Sequence, residues 1–146
     1  MSLRLHDEVG VRLAANGQRY TSGRRAIVDV LSAAGRPFTV PEITRSTGAR
    51  GLPQSSAYRN LTILVDTGIV RRVPGGGGHD RFELAEDLAG HHHHLLCTDC
   101  GVVTDVSATP RLERALAEAA RAASAESGFE VVGHRIDLVG RCRSCR

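Results

Sequence analysis

Apolar residues recur three or four positions apart through the first half of the chain, which predicts a series of short amphipathic helices. One helix is predicted to begin after Thr21 and to end at Gly35, and its apolar stripe consists of Ile27, Val30, Leu31 and Ala34. The same spacing predicts helices over residues 3–15, 40–47 and 53–67. The helix over residues 40–47 follows Thr39 as its N-cap and is expected to end at Gly48.

The pattern changes after Gly68, where apolar residues become consecutive or alternate with polar ones. Residues 69–73 and 81–84 are separated by Pro74 and four glycines, so a two-stranded hairpin is predicted. Helices followed by such a hairpin are typical of a winged helix-turn-helix domain. In that fold the helix over residues 53–67 is the recognition helix, with its apolar face on the core and its polar face in the DNA major groove.

The second half of the chain combines strands with one long helix. Strands are predicted over residues 92–97, 102–106 and 129–140, and the helix before the last strand is closed by Gly128. Its alanine-rich stripe consists of Leu112, Ala115, Leu116, Ala119 and Ala123. An apolar core formed by this half alone would be small and only marginally stable. The helix stripe and the strand edges therefore offer surface that a second subunit can cover. The predicted fold class is α+β: an N-terminal winged helix-turn-helix domain followed by a small α/β domain.

The composition of the chain is that of one globular domain or two small ones. It has 146 residues, of which 41% are hydrophobic and 24% are charged. This composition excludes a disordered or collagen-like chain. The apolar runs are only a few residues long, and the first residues lack the apolar core of a secretory signal. We therefore expect a cytoplasmic protein that does not span a membrane.

The formal net charge of +3 is unevenly distributed along the chain. Residues 1–74 contain 11 Arg and 5 acidic residues, a net charge of +6, whereas residues 75–146 contain 8 Arg and 11 acidic residues, a net charge of −3. The charge of +6 within 74 residues, together with the hairpin that follows the helices, predicts binding to a polyanion such as DNA. The alternative is that Arg59 and the pair Arg24 and Arg25 lie on solvated helix faces.

All the cysteines occur in two Cys-x-x-Cys pairs, Cys97 with Cys100 and Cys142 with Cys145. Two such pairs joined by a long connection are typical of a closed tetrahedral zinc site, since each tight turn directs two thiolates at one ion. Cytoplasmic thiols stay reduced, which disfavours disulfides. The alternative is a redox dithiol, which needs only one pair and a βαβ context that the pattern does not show.

Four consecutive histidines, residues 91–94, precede the first cysteine pair. Side chains alternate between the two faces of an extended chain, so His91 and His93 face one way while His92 and His94 face the other. The run can therefore supply two imidazoles to each of two metal sites. Candidates for the remaining ligands are His134, Glu83, Asp105 and Glu113. The alternative is a polar loop that binds metal only weakly.

These motifs occur in an order that resembles the ferric uptake regulator (Fur) family. The order is Ser56-Ala57-Tyr58-Arg59-Asn60-Leu61, Phe82-Glu83-Leu84, the histidine run with the first cysteine pair, and His134 with the second pair. The resemblance covers about residues 10–146 and implies a dimeric, metal-activated transcriptional repressor. It places a DNA-binding domain at residues 1–84, a hinge at about residues 85–90 and a metal-binding dimerisation domain at residues 91–146.

The resemblance also implies three metal sites. Structural Zn²⁺ is expected at Cys97, Cys100, Cys142 and Cys145. A regulatory site at the hinge, which would take Fe²⁺ or Zn²⁺, is expected to consist of Glu83, His92, His94 and Asp105. A second site is expected to consist of His91, His93, Glu113 and His134.

For DNA, the resemblance implies that Tyr58 contacts bases and that Arg59 contacts the backbone. The full set of candidate contacts is Arg19, Arg24, Ser55, Ser56, Tyr58 and Arg59. Two features of many family members are missing. Where those proteins have a hinge histidine before the third helix, this chain has Arg36-Pro37-Phe38, and it lacks the cysteine that zinc sensors place before the histidine run. His79, in the wing, is a candidate substitute.

The expected function is repression of metal-uptake and homeostasis genes by a homodimer on double-stranded operator DNA, with a divalent ion as the signal. A peroxide-responsive repressor is the alternative within the family. Asp105 matches a carboxylate of the sensor site in some family members and favours this alternative, whereas Glu83 stands where peroxide sensors tend to have Asp and disfavours it. A remote alternative is a metalloenzyme whose ion activates water, although no second acid/base pair or nucleophile motif lies near the histidines.

Overall fold

Threonine side chains cap the start of two of the four described N-terminal helices. The computed structural model describes residues 3–47, 51–75 and 78–146. Within them, α1 spans Leu3–Ala15, α2 Ser22–Ala34, α3 Val40–Ser46 and α4 Gln54–Asp66. Thr21 and Thr39 cap α2 and α3, and Gly35 ends α2 with a φ of 61°, which favours glycine. The predicted helices are confirmed, although the expected end at Gly48 lies outside the described residues. No described helix is long and apolar enough to cross a membrane.

Glu42 closes the capping box of α3 and joins this helix to two arginines. Its carboxylate accepts hydrogen bonds from the Thr39 backbone N–H at 2.7 Å and from Arg36 at 2.8 Å, and it lies 3.4 Å from an Arg81 nitrogen. Burial opposes ionisation, yet the hydrogen bonds from Arg36 and Thr39 hold the pKa of Glu42 at about 2. The ionised carboxylate therefore stabilises the folded N-terminal half.

Glu42→Gln is expected to lower the free energy of unfolding by about 2 kcal/mol at pH 7, because it removes charge-assisted hydrogen bonds. The pKa of Glu42 is lower in the folded chain than in the unfolded one, so this contribution is complete above about pH 4.5 and is lost as the pH falls towards 2. Urea unfolding at pH 7 and in acid measures it, with the exposed Glu8→Gln as control. A difference from wild type that persists undiminished in acid would contradict the prediction.

A three-stranded antiparallel sheet packs beside these helices. β2 (Val70–Val73) and β3 (Arg81–Leu84) form the predicted hairpin, whose expected turn includes Gly76 and Gly77 outside the described residues. β1 (Phe38–Thr39) adds to the other edge of β3. The sequence pattern missed β1 because two residues are too few to show an alternation. The register places Arg71 on β2 directly opposite Glu83 on β3.

The apolar core of the described chain lies between these helices and this sheet. Its buried side chains are Val9, Leu13, Ile27, Val28, Leu31, Val40, Ile43, Ala57, Leu61, Leu64, Ile69, Val70, Phe82 and Leu84. The α4 face that contains Ala57, Leu61 and Leu64 is the one that the sequence assigns to the core. The polar face of α4 is thereby left towards solvent.

A second sheet follows the short helix α5 (Glu86–Ala89). Its strands are β4 (His93–Cys97), β5 (Val103–Val106) and β6 (Asp137–Gly140), and α6 (Pro110–Ser127) lies between the last two in the chain. The order is β5-β4-β6, with β4 antiparallel to β5 and parallel to β6. The strand predicted over residues 129–140 is wrong for residues 129–136, because only residues 137–140 pair with β4.

Little of this second half is buried. None of the α6 residues is buried, and β6 is exposed along its length. Leu138 is 53% exposed, Val139 is 63% exposed and Val132 is 92% exposed. The small core expected from the sequence is therefore even smaller in the single chain, since the apolar side chains buried in its second sheet are Cys97 and Val103.

Candidate metal centres

The histidine run enters β4 with its side chains alternating as the sequence predicts. Among the described residues, His, Cys, Asp and Glu side chains form three groups in which one ligand atom from each residue lies within 4.8 Å of the others. We name them the hinge cluster (Glu83, His92, His94, Asp105), the second cluster (His91, His93, Glu113, His134) and the cysteine cluster (Cys97, Cys100, Cys142, Cys145). Their memberships match the three expected sets.

The hinge cluster joins the two halves of the chain. Glu83 belongs to β3 of the first sheet, whereas His94 on β4 stands opposite Asp105 on β5 in the second sheet. One Glu83 oxygen, Oε2, lies 3.1 Å from His92 Nε2 and 3.0 Å from His94 Nε2. Asp105 Oδ1 lies 3.9 Å from both nitrogens. Two imidazole nitrogens and two carboxylate oxygens therefore converge on one point between the sheets.

Burial and charge in the hinge cluster favour a cation. Burial opposes ionisation of Glu83, yet hydrogen bonds from His94, His92 and Arg71 hold its pKa at about 2. Burial raises the pKa of Asp105, whose buried Oδ1 has no hydrogen-bond partner among the described residues. A buried carboxylate oxygen without a partner, beside two imidazoles, fits a divalent ion such as Fe²⁺ or Zn²⁺.

Arg71 determines which Glu83 oxygen faces the imidazoles. Its Nε donates a hydrogen bond to Glu83 Oε1, so Oε2 is the oxygen directed at the histidines. Sequence reasoning missed Arg71, because its place beside the cluster follows from the register of β2 and β3.

Hydrogen-bond acceptors on the far side of the two imidazoles orient these rings. His92 Nδ1 donates to the Gly90 carbonyl at 2.9 Å, and His94 Nδ1 donates to Asp137 Oδ1 at 3.2 Å. Because each Nδ1 keeps its proton in these contacts, an ion that replaces the protons donated from Nε2 to Glu83 can bind both Nε2 atoms. Sequence reasoning missed Gly90 and Asp137. Asp137 reaches His94 only because β6 pairs in parallel with β4.

Asp137→Ala is expected to weaken binding of a divalent ion to the hinge cluster by about tenfold to hundredfold, because the imidazole loses the carboxylate that orients it. The affinity is measured by titrating Mn²⁺ or Zn²⁺ against a fluorescent chelator, with His91→Ala and His134→Ala present to remove the second cluster. Asp80→Ala is the control, since Asp80 is an exposed wing residue. Equal affinities for the Asp137 and Asp80 variants would contradict this role.

The second cluster gathers three imidazoles around Glu113 in the first turn of α6. Glu113 Oε1 lies 2.7 Å from His93 Nε2, and Oε2 lies 3.2 Å from Nε2 of both His91 and His134. His93 lowers the pKa of Glu113. His134 Nε2 is buried and, although it lies 3.2 Å from Glu113 Oε2, it makes no hydrogen bond within the described residues, which also fits an ion. Glu86, a carboxylate that sequence reasoning missed, contacts His91 Nδ1.

The cysteine cluster ties the end of β4 to the last residues of the chain. The Cys100 and Cys142 sulfurs lie 3.8 Å apart, and all four thiols are free of disulfide bonds. Backbone N–H groups of Cys100 and Cys142 lower the pKa of Cys97 to about 6, whereas hydrogen bonds with Cys142 and Cys100 raise the pKa of Cys145 to about 12. Four sulfurs at this separation fit a tetrahedral zinc ion.

Comparison with known proteins agrees with this arrangement. A family model described as the ferric uptake regulator family matches residues 15–139, which is most of the chain. The chain belongs to the ferric uptake regulator family. Its members are transcriptional regulators, so membership leaves the metalloenzyme alternative without support.

Known relatives resemble this Fur-family protein in sequence and in fold. The peroxide-responsive repressor PerR of Staphylococcus saprophyticus is 31% identical over 136 residues, 92% of this chain and 86% of that protein. The Pseudomonas aeruginosa ferric uptake regulator, solved with manganese, has a TM-score of 0.69 at 29% identity and covers 91% of this chain and 96% of its own. The Helicobacter pylori Fur structure, described as revealing three functional metal binding sites, shares the fold, with a TM-score of 0.76 at 23% identity over 97% and 91% of the two chains.

The residues expected to face DNA in this Fur-family protein lie at two places. Ser55, Tyr58 and Arg59 are exposed on α4, and Ser56 is half-buried on the same helix. Arg19 is exposed in the segment between α1 and α2. These five residues are available to a ligand, as a DNA-binding surface requires.

Arg24, the sixth expected contact, differs from the other five in its burial. It is only 7% exposed, and its guanidinium donates hydrogen bonds to Asn60, Gln18 and the Arg19 carbonyl. Each of its three nitrogens therefore donates a hydrogen bond within the domain. The sequence pattern did not distinguish this buried arginine from the exposed Arg25 beside it.

The described residues contain no substitute for the missing hinge histidine at Arg36 or at His79. Arg36, at the position where the resemblance leads us to expect that ligand, pairs with Glu42 at 2.8 Å and stacks on Phe38 at 4.3 Å. His79 is exposed and belongs to none of the three clusters. Among the described residues, the hinge cluster therefore offers two imidazoles and two carboxylates.

Proposed function

We propose that this Fur-family protein is a metal-responsive repressor that binds double-stranded operator DNA as a homodimer when a divalent ion occupies the hinge cluster. The observation that carries the proposal is the origin of the ligands. Glu83 belongs to the first sheet, beside the N-terminal helices, and the other three ligands belong to residues 91–146. An ion bound to all four would fix the angle between the halves, and in a dimer this angle sets the separation of the two recognition helices.

The positions of the apolar core and of the metal clusters suggest which part of the chain has which function. Residues 1–84 would bind DNA, residues 85–90 would form the hinge, and residues 91–146 would bind metal and dimerise, with the protein in the cytoplasm. The buried apolar core cluster lies wholly within the first of these ranges. The first 74 residues also carry the net charge of +6, which suits a polyanionic partner.

Dimerisation is supported by what the single chain leaves exposed. Leu95 is 44% exposed on β4, and Leu138 and Val139 expose more than half of their surface on β6. These side chains line an apolar groove next to the cysteine cluster. A second copy that covers this groove would supply the apolar burial that the second half lacks.

The two kinds of cluster favour different metals. Four thiolates suit structural Zn²⁺, whereas imidazole and carboxylate ligands suit Fe²⁺ or Zn²⁺ as the regulatory ion. The Irving–Williams order raises affinity for Zn²⁺ over Fe²⁺ at most nitrogen and oxygen sites, so affinity alone does not identify the regulatory ion. DNA binding as a function of each ion does.

The experiment that tests the proposal starts from protein purified without chelator, whose metal content is measured. The best duplex is selected from a random pool by protein loaded with Fe²⁺ under anaerobic conditions or with Zn²⁺. Fluorescence anisotropy then follows binding of that duplex as each ion is titrated. We expect one ion to raise affinity by about three orders of magnitude over protein that holds only structural zinc. If no ion changes affinity for any selected duplex, the proposal is wrong.

A second candidate function is peroxide-responsive repression. Two observations favour it: the 31% identity to a PerR protein and the presence of Asp105 in the hinge cluster. In such a sensor, oxidation of a metal-bound histidine abolishes DNA binding. Peroxide added to Fe²⁺-loaded protein should then release the duplex and add one oxygen to a peptide containing His92 or His94. Release without added oxygen, or no release, favours the metal-responsive repressor.

A further inference from the structure

Arg24 occupies a place that is unfavourable for a charged side chain in two ways. It is the third residue of α2, after the N-cap Thr21, where the positive end of the helix dipole lies. It is also only 7% exposed, and burial of a charge is costly unless hydrogen bonds offset the loss of water. Neither feature stabilises α2, so the reason for an arginine here lies in what its guanidinium contacts.

The guanidinium bridges two separate parts of the N-terminal half. Nε donates to Asn60 Oδ1 on α4 at 3.2 Å. On the other side, Nη2 donates to Gln18 Oε1 at 3.3 Å and Nη1 donates to the Arg19 carbonyl. All three acceptors are neutral oxygens, so the fork geometry of the guanidinium, rather than an ion pair, defines the contact.

The contact on the α4 side is tightly fixed. Asn60 Nδ2 donates to the Ser56 carbonyl at 3.0 Å, which directs its Oδ1 at Arg24. A Cβ atom on Gly23 would lie 3.2 Å from Asn60 Nδ2 and 3.3 Å from Leu52 Cδ1, so the first turn of α2 sits directly against this part of the chain. Asn60 follows Tyr58 and Arg59, and its position therefore constrains both exposed side chains.

We infer that Arg24 is a positioning residue that sets the recognition helix α4 relative to the segment carrying Arg19, and so acts on DNA affinity without contacting DNA. The inference rests on the proposed function. The buried Arg24 guanidinium is hydrogen-bonded both to α4 and to the segment before α2, which are the two regions expected to contact DNA. Their relative placement must match one duplex geometry for both to bind together.

The test compares two replacements of Arg24 with one exposed control. Arg24→Met keeps length and apolar volume but loses every hydrogen bond, whereas Arg24→Lys keeps the charge but cannot reach three acceptors with one fork. Arg59→Ala removes the exposed arginine of α4. Each metal-loaded variant is titrated at several salt concentrations against the duplex selected by the wild-type protein.

We expect the affinity of both Arg24 variants for the duplex to be at least about tenfold lower than that of the wild type. The dependence of their affinity on salt should equal that of the wild type. Arg59→Ala should instead reduce the slope of log K against log salt by about 1. Asn60→Ala should weaken binding as Arg24→Met does, and the double variant should be no weaker than either, because both remove one contact. Near-wild-type binding by Arg24→Lys, or a slope reduced by about 1 in Arg24→Met, would show a direct phosphate contact and overturn the inference.

Hydrogen exchange without DNA separates this inference from the proposed function. Arg24→Met and Arg24→Lys should raise exchange in residues 17–21 and 54–61, and Arg59→Ala should not. Unchanged exchange overturns the positioning role. A wild-type protein that binds no selected duplex overturns the proposed function, while exchange still decides whether Arg24 holds the two regions together. If Arg24→Met does not fold, the Lys variant and Asn60→Ala give the same comparison.

Discussion

Replacing both His92 and His94 with Ala is expected to reduce affinity for the selected operator duplex by about three orders of magnitude, to the level of non-specific binding. The variant retains Glu83 and Asp105 but loses both nitrogens that converge on Glu83 Oε2. Two carboxylates alone bind Fe²⁺ or Zn²⁺ weakly, so the ion no longer joins the two halves. Anisotropy at saturating metal measures the effect, and zinc content and circular dichroism establish that the fold persists.

The matched control uses the opposite face of the same histidine run. His91→Ala with His134→Ala removes two imidazoles from the second cluster, and neither residue is buried. We expect this control to keep metal-dependent operator binding within about tenfold of wild type, because the second cluster has no ligand in the N-terminal half. An unchanged metal-dependent shift in the His92 and His94 variant would remove the hinge cluster from the mechanism.

Cys97→Ser is expected to release the structural zinc and to abolish cooperative unfolding of the C-terminal half. A serine hydroxyl stays protonated at neutral pH and is a poor zinc ligand, and structural zinc supplies on the order of 10 kcal/mol in small domains. The second half has little else to hold it, since no α6 residue is buried in the single chain. The N-terminal core, which contains no residue of the cysteine cluster, should remain folded.

Zinc analysis together with urea unfolding followed by circular dichroism checks this prediction. Wild-type protein treated with a strong zinc chelator should reproduce the variant. Ser144→Ala is the matched control, because Ser144 is exposed between Cys142 and Cys145 and offers no thiolate. A Cys97→Ser protein that retains zinc and unfolds like the Ser144 variant would contradict the structural role.

The metal clusters show how far a local pattern reaches. Alternation along an extended chain predicts that His91 pairs with His93 and that His92 pairs with His94, and each pair lies within one cluster of the structure. The pattern offers Glu83, Asp105 and Glu113 only as candidates and does not assign them to a site, because they come from other elements. The family resemblance supplied that assignment, and the same residues converge in the structure.

The sequence pattern predicted the burial and pairing of individual residues less well than it predicted the helices. Arg24 and Arg25 are adjacent in the sequence, yet one is buried and the other is exposed, because α2 turns them towards different neighbours. Residues 129–136 include Phe129, Val131, Val132 and Ile136, which favour strands, yet paired residues of β6 begin only at Asp137. In both cases the deciding contact comes from a distant part of the chain.

The sequence by itself determined the helices, the hairpin, the three sets of candidate ligands and the opposite charges of the two halves. Caps, periodicity and spacing act over a few residues, and the family resemblance joined the distant ligands. Only the tertiary structure decided that Arg71, Gly90 and Asp137 orient the hinge ligands and that Arg24 lies inside the domain. Those outcomes depend on strand register and helix packing, which join residues far apart in the chain and leave no local trace in the sequence.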